Sequence, residues 1–383
     1  MIRIDPMGKM HETLRTLVVK IGTVLLTGER GFDGRILEEL VKEISALKRE
    51  RGCNVLVVSS GAIGCGMDAL GLKERPKVLP LKQASAAVGQ ARLMHYYETL
   101  FSTYGTGLRT AQVLLTAGDL DNRVTYLNVR NTLHALFQMK QIIPIVNEND
   151  SVATEELRFG DNDTLAARVA VKIDADLLIL LSDIDGLYDR NPRKCPDARL
   201  IPYVERVTPD IAALAEGTTA ETSVGGMKTK LEAARIAGAA GLPMVIANGR
   251  RPHILHDVLE GNGPMTRFGM SPDGLPQRKR WIAFGRTTRG SIQIDDGAVA
   301  ALTRQGKSLL PAGVVGVSGV FSEGAAVLIT DKTGRSVARG LVNYSSEDIL
   351  RIKGRKSGEI PAILGRKDYD EVVHRDNLVL LEP

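Results

Sequence analysis

Five short apolar runs constrain this chain more than any other feature. Thr16–Ile21 (TLVVKI), Val55–Ser60 (VLVVSS), Ile142–Asn147 (IIPIVN), Leu177–Ser182 (LLILLS) and Met244–Ala247 (MVIA) are continuous, rich in Val, Ile or Leu, and bounded by Gly, Asp or Asn. Strands buried on both faces read this way, whereas a strand with one wet face alternates. Helical patterns lie between the runs. In Arg35–Arg51 the apolar positions Ile36, Leu37, Leu40, Val41, Ile44 and Leu47 form one stripe. Gln83–Tyr104 and Asn122–Lys140 read as further helices, and the Ala-rich Gly226–Ala240 ends at Gly241, a C-cap residue. The alternation predicts an α/β fold, a mostly parallel sheet sandwiched by helices.

The pattern changes at Asn262–Arg280, where Gly, Pro and polar residues collect before Trp281, the only tryptophan. This stretch reads as a linker. Beyond it come shorter segments, Ser291–Ile294, Val314–Phe321, Ala326–Thr330 and Val337–Val342, separated by turns such as SEG at 322–324 and DKTG at 331–334. They predict a small C-terminal β-rich domain, a barrel or sandwich with one or two short helices. The expected division is 13–265, a linker at 266–288, and 289–369. The last domain carries the charge asymmetry: from Leu275 to Pro383 there are 17 Lys+Arg against 12 Asp+Glu, while residues 1–274 balance at 33 each. Such an excess suits either a solvated basic surface or a polyanion such as RNA.

Composition excludes other classes. With 43% apolar and 25% charged residues the chain is neither disordered nor a coiled coil. No run of about 18 apolar residues offers a membrane span. The first fifteen residues lack the apolar core of a secretory signal. Cys53, Cys65 and Cys195 form no CxxC pair, so free thiols in a reducing compartment are expected, and with them a soluble, cytoplasmic protein.

Ligands of open α/β sheets bind at the C-terminal ends of the strands, so the loops there matter most. Lys20-Ile-Gly22-Thr23 follows the first run: glycine lets a phosphate approach backbone amides, and the ammonium neutralises its charge. Ser59-Ser60-Gly61-Ala62-Ile63-Gly64 follows the second and turns a strand into a helix, exposing amides and a hydroxyl. Asn147-Glu-Asn-Asp150-Ser151 follows the third, and Gly160-Asp161-Asn162-Asp163-Thr164 opens the next helix. One of these acids is expected to cap that helix. The others exceed what capping needs, and suit binding an ammonium, holding a cation or orienting lysines. Ser182-Asp183-Ile-Asp185-Gly186-Leu187-Tyr188 reads as the rim of a nucleotide site or a plain Asp/Gly turn. Gly225-Gly226-Met227-Lys228-Thr229-Lys230 begins the Ala-rich helix, and lysines in a first turn oppose the helix dipole unless an anion sits there. Neither a Walker A loop nor the protein-kinase motif set occurs. Two lysines from distant loops, with glycines around them and acids between, suit phosphoryl transfer.

VVKIGT, SSGAIG, NENDSVATEE, FGDNDTLAA, LLSDIDGLY and GGMKTK occur in that order. Together they resemble the glutamate 5-kinases of the amino-acid kinase superfamily. The tail from about Arg289, with SLLPAGVVGVSGVF and RGLVNYSSEDI, is similar to the PUA domain of bacterial members. The resemblance implies an amino-acid kinase fold with a PUA domain, and transfer of phosphate from Mg-ATP to the γ-carboxylate of L-glutamate, the first step of proline synthesis, with feedback by proline. It implies that Lys20 and Lys230 stabilise the transferring group, and that Asp161 and Asp163 position the amino group and the lysines. Ser60, Asp150 and Asn162 would hold glutamate. Lys20, Gly22, Ser182, Asp183 and Val224, Gly225, Gly226, Met227, Lys228, Thr229 and Lys230 would meet ATP. Mg²⁺ would ride on the ATP phosphates without direct protein ligands. A homo-oligomer, dimer or tetramer, and glutamyl-phosphate reductase as a partner are further implications.

Two positions depart from the family pattern. Val24 and Val224 stand where relatives often carry Ser, and Thr or Gly, so a hydroxyl contact to phosphate is lost at each and tuned nucleotide affinity is expected. A rival within the superfamily is a kinase of another small acid, such as N-acetylglutamate; the NEND and GDND acids favour a free amino acid. A rival outside it is an RNA-binding protein, favoured by Arg278-Lys279-Arg280 and by Arg351-Ile-Lys353-Gly-Arg355-Lys356. The few aromatics of that domain, which offer little for bases to stack on, oppose it.

Overall fold

The computed structural model describes residues 14–28, 31–153, 161–215, 226–269 and 288–381. The N-terminal dozen, Val224, Gly225, Arg278-Lys279-Arg280 and Trp281 lie outside the described residues, as does most of the stretch read as linker. The chain divides into two compact units, Met1–Gly274 and Leu275–Pro383.

All five apolar runs are strands of one sheet in the first unit. In chain order the elements are β1 (Thr16–Ile21), a small hairpin of β2 (Thr27–Gly28) and β3 (Gly31–Phe32), α1 (Arg35–Arg51), β4 (Asn54–Ser59), α2 (Ala62–Ala69), α3 (Leu79–Tyr104), β5 (Arg109–Leu115), α4 (Ala117–Asp121), α5 (Arg123–Gln138), β6 (Ile142–Glu148), α6 (Asn162–Lys172), β7 (Leu177–Ser182), β8 (Tyr203–Val204), α7 (Pro209–Ala213), α8 (Met227–Ala239), β9 (Met244–Asn248), α9 (Ile254–Glu260) and β10 (Thr266–Phe268). The eight-stranded sheet runs β5-β6-β4-β1-β7-β9-β10-β8. Its pairings are parallel except between β9 and β10.

Three strands of this sheet escaped the sequence reading. β5 lies at the sheet edge with only Leu115 buried and its other six residues exposed or half-buried, so it shows no long apolar run. β8 is two residues long, too short to register as a pattern. β10 lies where the linker was placed, yet Thr266 and Phe268 are buried and pair with Ile246 and Met244. The first unit therefore extends past residue 265.

Alternation along β1 decides the site. Leu17, Val19 and Ile21 face one side of the sheet, where they share a core with Leu37, Leu40 and Ile44 of α1, Leu93 and Tyr97 of α3, and Leu255 and Val258 of α9. Val18 and Lys20 therefore face the other side. That side is covered by α6 and α8, which pack against each other and against the strands. A lysine on a central strand is thus delivered beneath two helix N-termini.

Helices α2 and α3 cross where both are reduced to glycine. A Cβ on Gly66 would overlap the Ser85 carbonyl, and one on Gly89 would overlap the carbonyl of Ala62. The contact anchors the loop before α2, which turns at Gly61 with φ +98°, a conformation that excludes most side chains. α1 likewise ends on Gly52 at φ +64°.

In the second unit β11 (Ser291–Ile294), α10 (Asp296–Gln305), β12 (Val314–Ser318), β13 (Ala326–Thr330), β14 (Ser336–Leu341), α11 (Ser346–Ile352), α12 (Ile360–Leu364) and β15 (Leu378–Leu380) follow in order. The strands form one sheet, β12-β11-β13-β14-β15, instead of two facing layers. Ile292, Ile294, Val327 and Ile329 join Leu302 of α10, Ile349 and Ile352 of α11, and Ile360 of α12 in a separate core. β15 pairs with the edge of β14 and lies beyond residue 369, where the sequence reading closed this unit; its Leu378 and Val379 are buried.

Candidate active site

The C-terminal ends of β1, β4 and β7 open onto a cavity of about 720 Å³ that lies in the first unit. Most residues singled out in the sequence line it. Lys20 comes from β1, Gly22 from the turn after it, Ser60 from the turn after β4, and Asp150 from the loop after β6. Asp161 and Asn162 come from the start of α6, Ser182 and Asp183 from the end of β7, and Gly226, Met227 and Lys230 from the start of α8.

At its floor lies a cluster of buried charge. Asp163 is fully buried, while Lys20 and Lys230 are 4% and 5% exposed. One Asp163 oxygen stands 2.5 Å from the Lys20 ammonium and the other 3.1 Å from that of Lys230. Asp161 stands 3.6 Å from Lys20. Its side chain also caps α6, accepting from the Asp163 N–H at 3.0 Å, so the expected cap is present. The Thr229 hydroxyl lies 3.2 Å from Asp161, 3.0 Å from Asp163, and 2.9 Å from the Gly226 carbonyl. Burial alone would raise the Asp163 carboxyl, but two ammonium groups outweigh it and hold the carboxyl down at about 2. Burial would likewise lower Lys20, and Asp163 and Asp161 more than reverse this, so its ammonium stays charged. Asp163 does not reach the cavity wall. It touches the two lysines and Thr229.

A second cluster stands beside the first. The Asn162 amide nitrogen donates toward the Ser59 carbonyl at 2.7 Å, the Asn147 amide oxygen at 2.9 Å and the Ser60 hydroxyl at 3.0 Å. Ser59 in turn accepts from the hydroxyl of Tyr97, which is fully buried. Glu148 and Asp150 close this end, and Arg75 and Lys82 bring positive charge to it.

The other end is the rim after β7. Ser182 donates to Asp183 at 3.2 Å, and Arg193 pairs with Asp183. Asp185 is held by Asn248 at 3.2 Å and Arg251 at 3.2 Å. Arg190, Arg193 and Lys194 line the cavity here. Sequence reasoning identified this loop as a rim but passed over its three cations, because scattered Arg and Lys in a loop form no motif. The same holds for Arg75 and Lys82.

Three expectations change in detail. The Gly22 N–H is committed to the Leu181 carbonyl at 3.1 Å, so Gly22 shapes the turn without offering its own amide. Lys228 is exposed and does not line the cavity, and Thr229 turns toward the carboxylates of Asp161 and Asp163. Val24 lines the wall, and its carbonyl accepts from Arg250 at 3.0 Å.

Two lysines bridged by one buried carboxylate, beneath the N-terminus of a helix with no acid in its first turn, make an anion floor on a parallel sheet. Such a floor suits phosphoryl transfer, and the kinase class is shown by the profile described as Amino acid kinase family, which matches residues 15–248, with that of the PUA domain matching 290–364. The protein of Moorella thermoacetica named Glutamate 5-kinase is 51% identical over 372 residues, covering 96% of both chains. That of Thermus thermophilus, with the same name, is 49% identical over 368 residues, covering 96% of this chain and 98% of its own. Among solved structures, the UMP kinase of Ureaplasma parvum aligns at 15% identity and a TM-score of 0.45, covering 67% of this chain and 100% of that one. The chain belongs to the glutamate 5-kinase family.

Proposed function

We propose that the first unit transfers the γ-phosphoryl group of Mg-ATP to the γ-carboxylate of L-glutamate, forming L-glutamyl 5-phosphate and ADP, the opening step of proline synthesis. The observation that carries this reading is the convergence of Lys20 and Lys230 on Asp163 at the floor of one cavity. A carboxylate oxygen attacks the γ-phosphorus, and the bond to the bridging oxygen breaks as ADP leaves. The nucleophile already bears its charge, so no strong base is needed; the obstacle is bringing one anion toward another. Lys20 and Lys230 offset that repulsion and stabilise the charge spread over the transferring group. Asp163 keeps the two ammonium groups apart and aimed.

The nucleotide phosphates would lie at the N-terminus of α8, where Gly226 leaves room for close approach and no acid competes. The donor set fits a polyphosphate. Mg²⁺ bound with the nucleotide would supply positive charge that neutralises the phosphates, while Lys20, Lys230 and the start of α8 hold them. Ser182, Asp183 and the cations of the rim would face the nucleoside end. Glutamate would occupy the opposite end, held by Ser60, Asp150 and Asn162. Proline, similar in its α-carboxylate and ammonium, would compete there as a feedback inhibitor, a reading supported by the family resemblance alone. Activity that ignores millimolar proline would remove it.

The test of the reaction is a hydroxylamine trap. Protein, Mg-ATP and L-glutamate should yield γ-glutamyl hydroxamate, while N-acetylglutamate and aspartate should not. Hydroxamate from another acid would move the substrate, and none from any acid would overturn the kinase reading for this chain.

A further inference from the structure

The amide of Asn162 has only one orientation open to it, and the reason lies outside the cavity. Asn162 donates to the Ser59 main-chain carbonyl, an obligatory acceptor, at 2.7 Å. It also donates to the Asn147 amide oxygen at 2.9 Å. That atom must be oxygen, because it also accepts the Glu148 main-chain N–H at 2.9 Å. The amide nitrogen of Asn147 then points away, toward the amide oxygen of Gln90 on α3, at 2.9 Å. Gln90 itself donates to Gln112 on the edge strand β5 at 3.3 Å. Asn147 is only 2% exposed, so water does not substitute for these partners. At the end of the chain the Asn162 amide oxygen is buried at the cavity wall with no partner among the described residues.

We propose that Gln90 and Asn147 are positioning residues that fix the Asn162 amide and leave its oxygen as the acceptor for the ligand, so that this wall selects substrates bearing a free ammonium on the α-carbon. The inference deepens the glutamate reading and rests on it. Ser60 completes the pattern. Its oxygen already lies 3.0 Å from the donating Asn162 nitrogen, which leaves its own proton for an acceptor. An acceptor at Asn162 beside a donor at Ser60 matches the ammonium and carboxylate of a free α-amino acid. A flipped Asn162 would oppose its NH₂ to the ammonium and strand two acceptors at Ser59 and Asn147.

Gln90→Met removes the acceptor while keeping the length of the side chain, and Gln90→Glu retains an acceptor. Gln90→Met should raise the KM for L-glutamate about tenfold, the worth of one lost hydrogen bond, and leave the KM for ATP unchanged. Gln90→Glu should behave as the parent protein does. A purely structural role would move both KM values and the melting temperature together, and that outcome would overturn the proposal. So would a Gln90→Glu variant as impaired as Gln90→Met. A second readout needs no activity: in nitrogen-edited NMR spectra of the ligand-free protein, Gln90→Met should speed hydrogen exchange of the Asn147 and Asn162 side-chain NH₂ groups. Unchanged exchange overturns the relay. Faster exchange in a protein that makes no hydroxamate keeps the relay and removes only the substrate reading.

Discussion

The two units bury different things. Among the described residues, the first buries Lys20, Asp161, Asp163, Lys172 and Lys230, whereas the buried polar residues of the second are Asn343 and Ser346. Both have cores of Ile, Leu and Val, so apolar burial drives folding in each. The charges of the second unit stay at the surface, in pairs such as Lys332 with Asp296 and Arg335 with Asp331. Exposed pairs of this sort contribute little. A buried ion cluster costs desolvation that an apolar core avoids, and is weak evidence for stability. Its presence in one unit alone therefore marks where chemistry is carried. Lys172 is the instructive exception: it donates to the Leu120 carbonyl at 2.7 Å and lies over the Tyr126 ring, satisfied by structure alone and away from the cavity.

The contrast can be broken most forcefully at Asp163. Asp163→Ala leaves two buried ammonium groups facing each other, and is expected to cost about 3–5 kcal/mol, read as a fall in the urea midpoint, together with loss of activity. A variant as stable as the parent would mean that the cluster is solvated. Lys230→Ala removes charge stabilisation while Asp163 keeps Lys20, so kcat should fall by about 10²–10³ with the fold intact by circular dichroism. An unchanged kcat would strip Lys230 of its role.

Acid titration sharpens the comparison. The Asp163 carboxyl lies at about 2 in the folded protein against an ordinary value of 3.8. Its contribution is therefore fully present above pH 3.8 and is lost as the pH falls toward 2. The first unit should lose stability across that window, and Asp163→Asn should flatten the dependence. Equal slopes in parent and variant would contradict the assignment. The smallest effect belongs to the second unit: Arg335→Ala, at an exposed pair, should leave the thermal midpoint unchanged, and a marked shift would mean that surface charge matters there more than argued.

Much of this was legible in the residues. The five apolar runs located the five neighbouring strands β6-β4-β1-β7-β9 of the first sheet, because a strand buried on both faces needs an unbroken apolar pattern. Helix α1 emerged at its observed limits, its stripe and its glycine stop both written in the chain. What escaped was short or edge structure. β5 and β15 owe their pairing to neighbours distant in sequence, and their own residues resemble loop. At the site, motifs singled out Lys20, Asp161, Asp163 and Lys230, since charge at a strand end or helix start has few structural uses. Asn147 and Asn162 were marked too, but their link to Gln90 and the cations at Arg75, Lys82, Arg190, Arg193 and Lys194 were silent, because a lone amide or cation carries no local pattern.

Sequence by itself determined the alternation of strand and helix, the side of β1 on which Lys20 emerges, and the residue types that meet a phosphate. Each is local, a matter of side-chain period and of the charge on one group. Tertiary structure alone decided that one buried carboxylate serves two lysines 210 positions apart, and which way the Asn162 amide turns. Both depend on separate elements meeting across the sheet, where the partner of each polar group is chosen by packing and not by its neighbours in the chain.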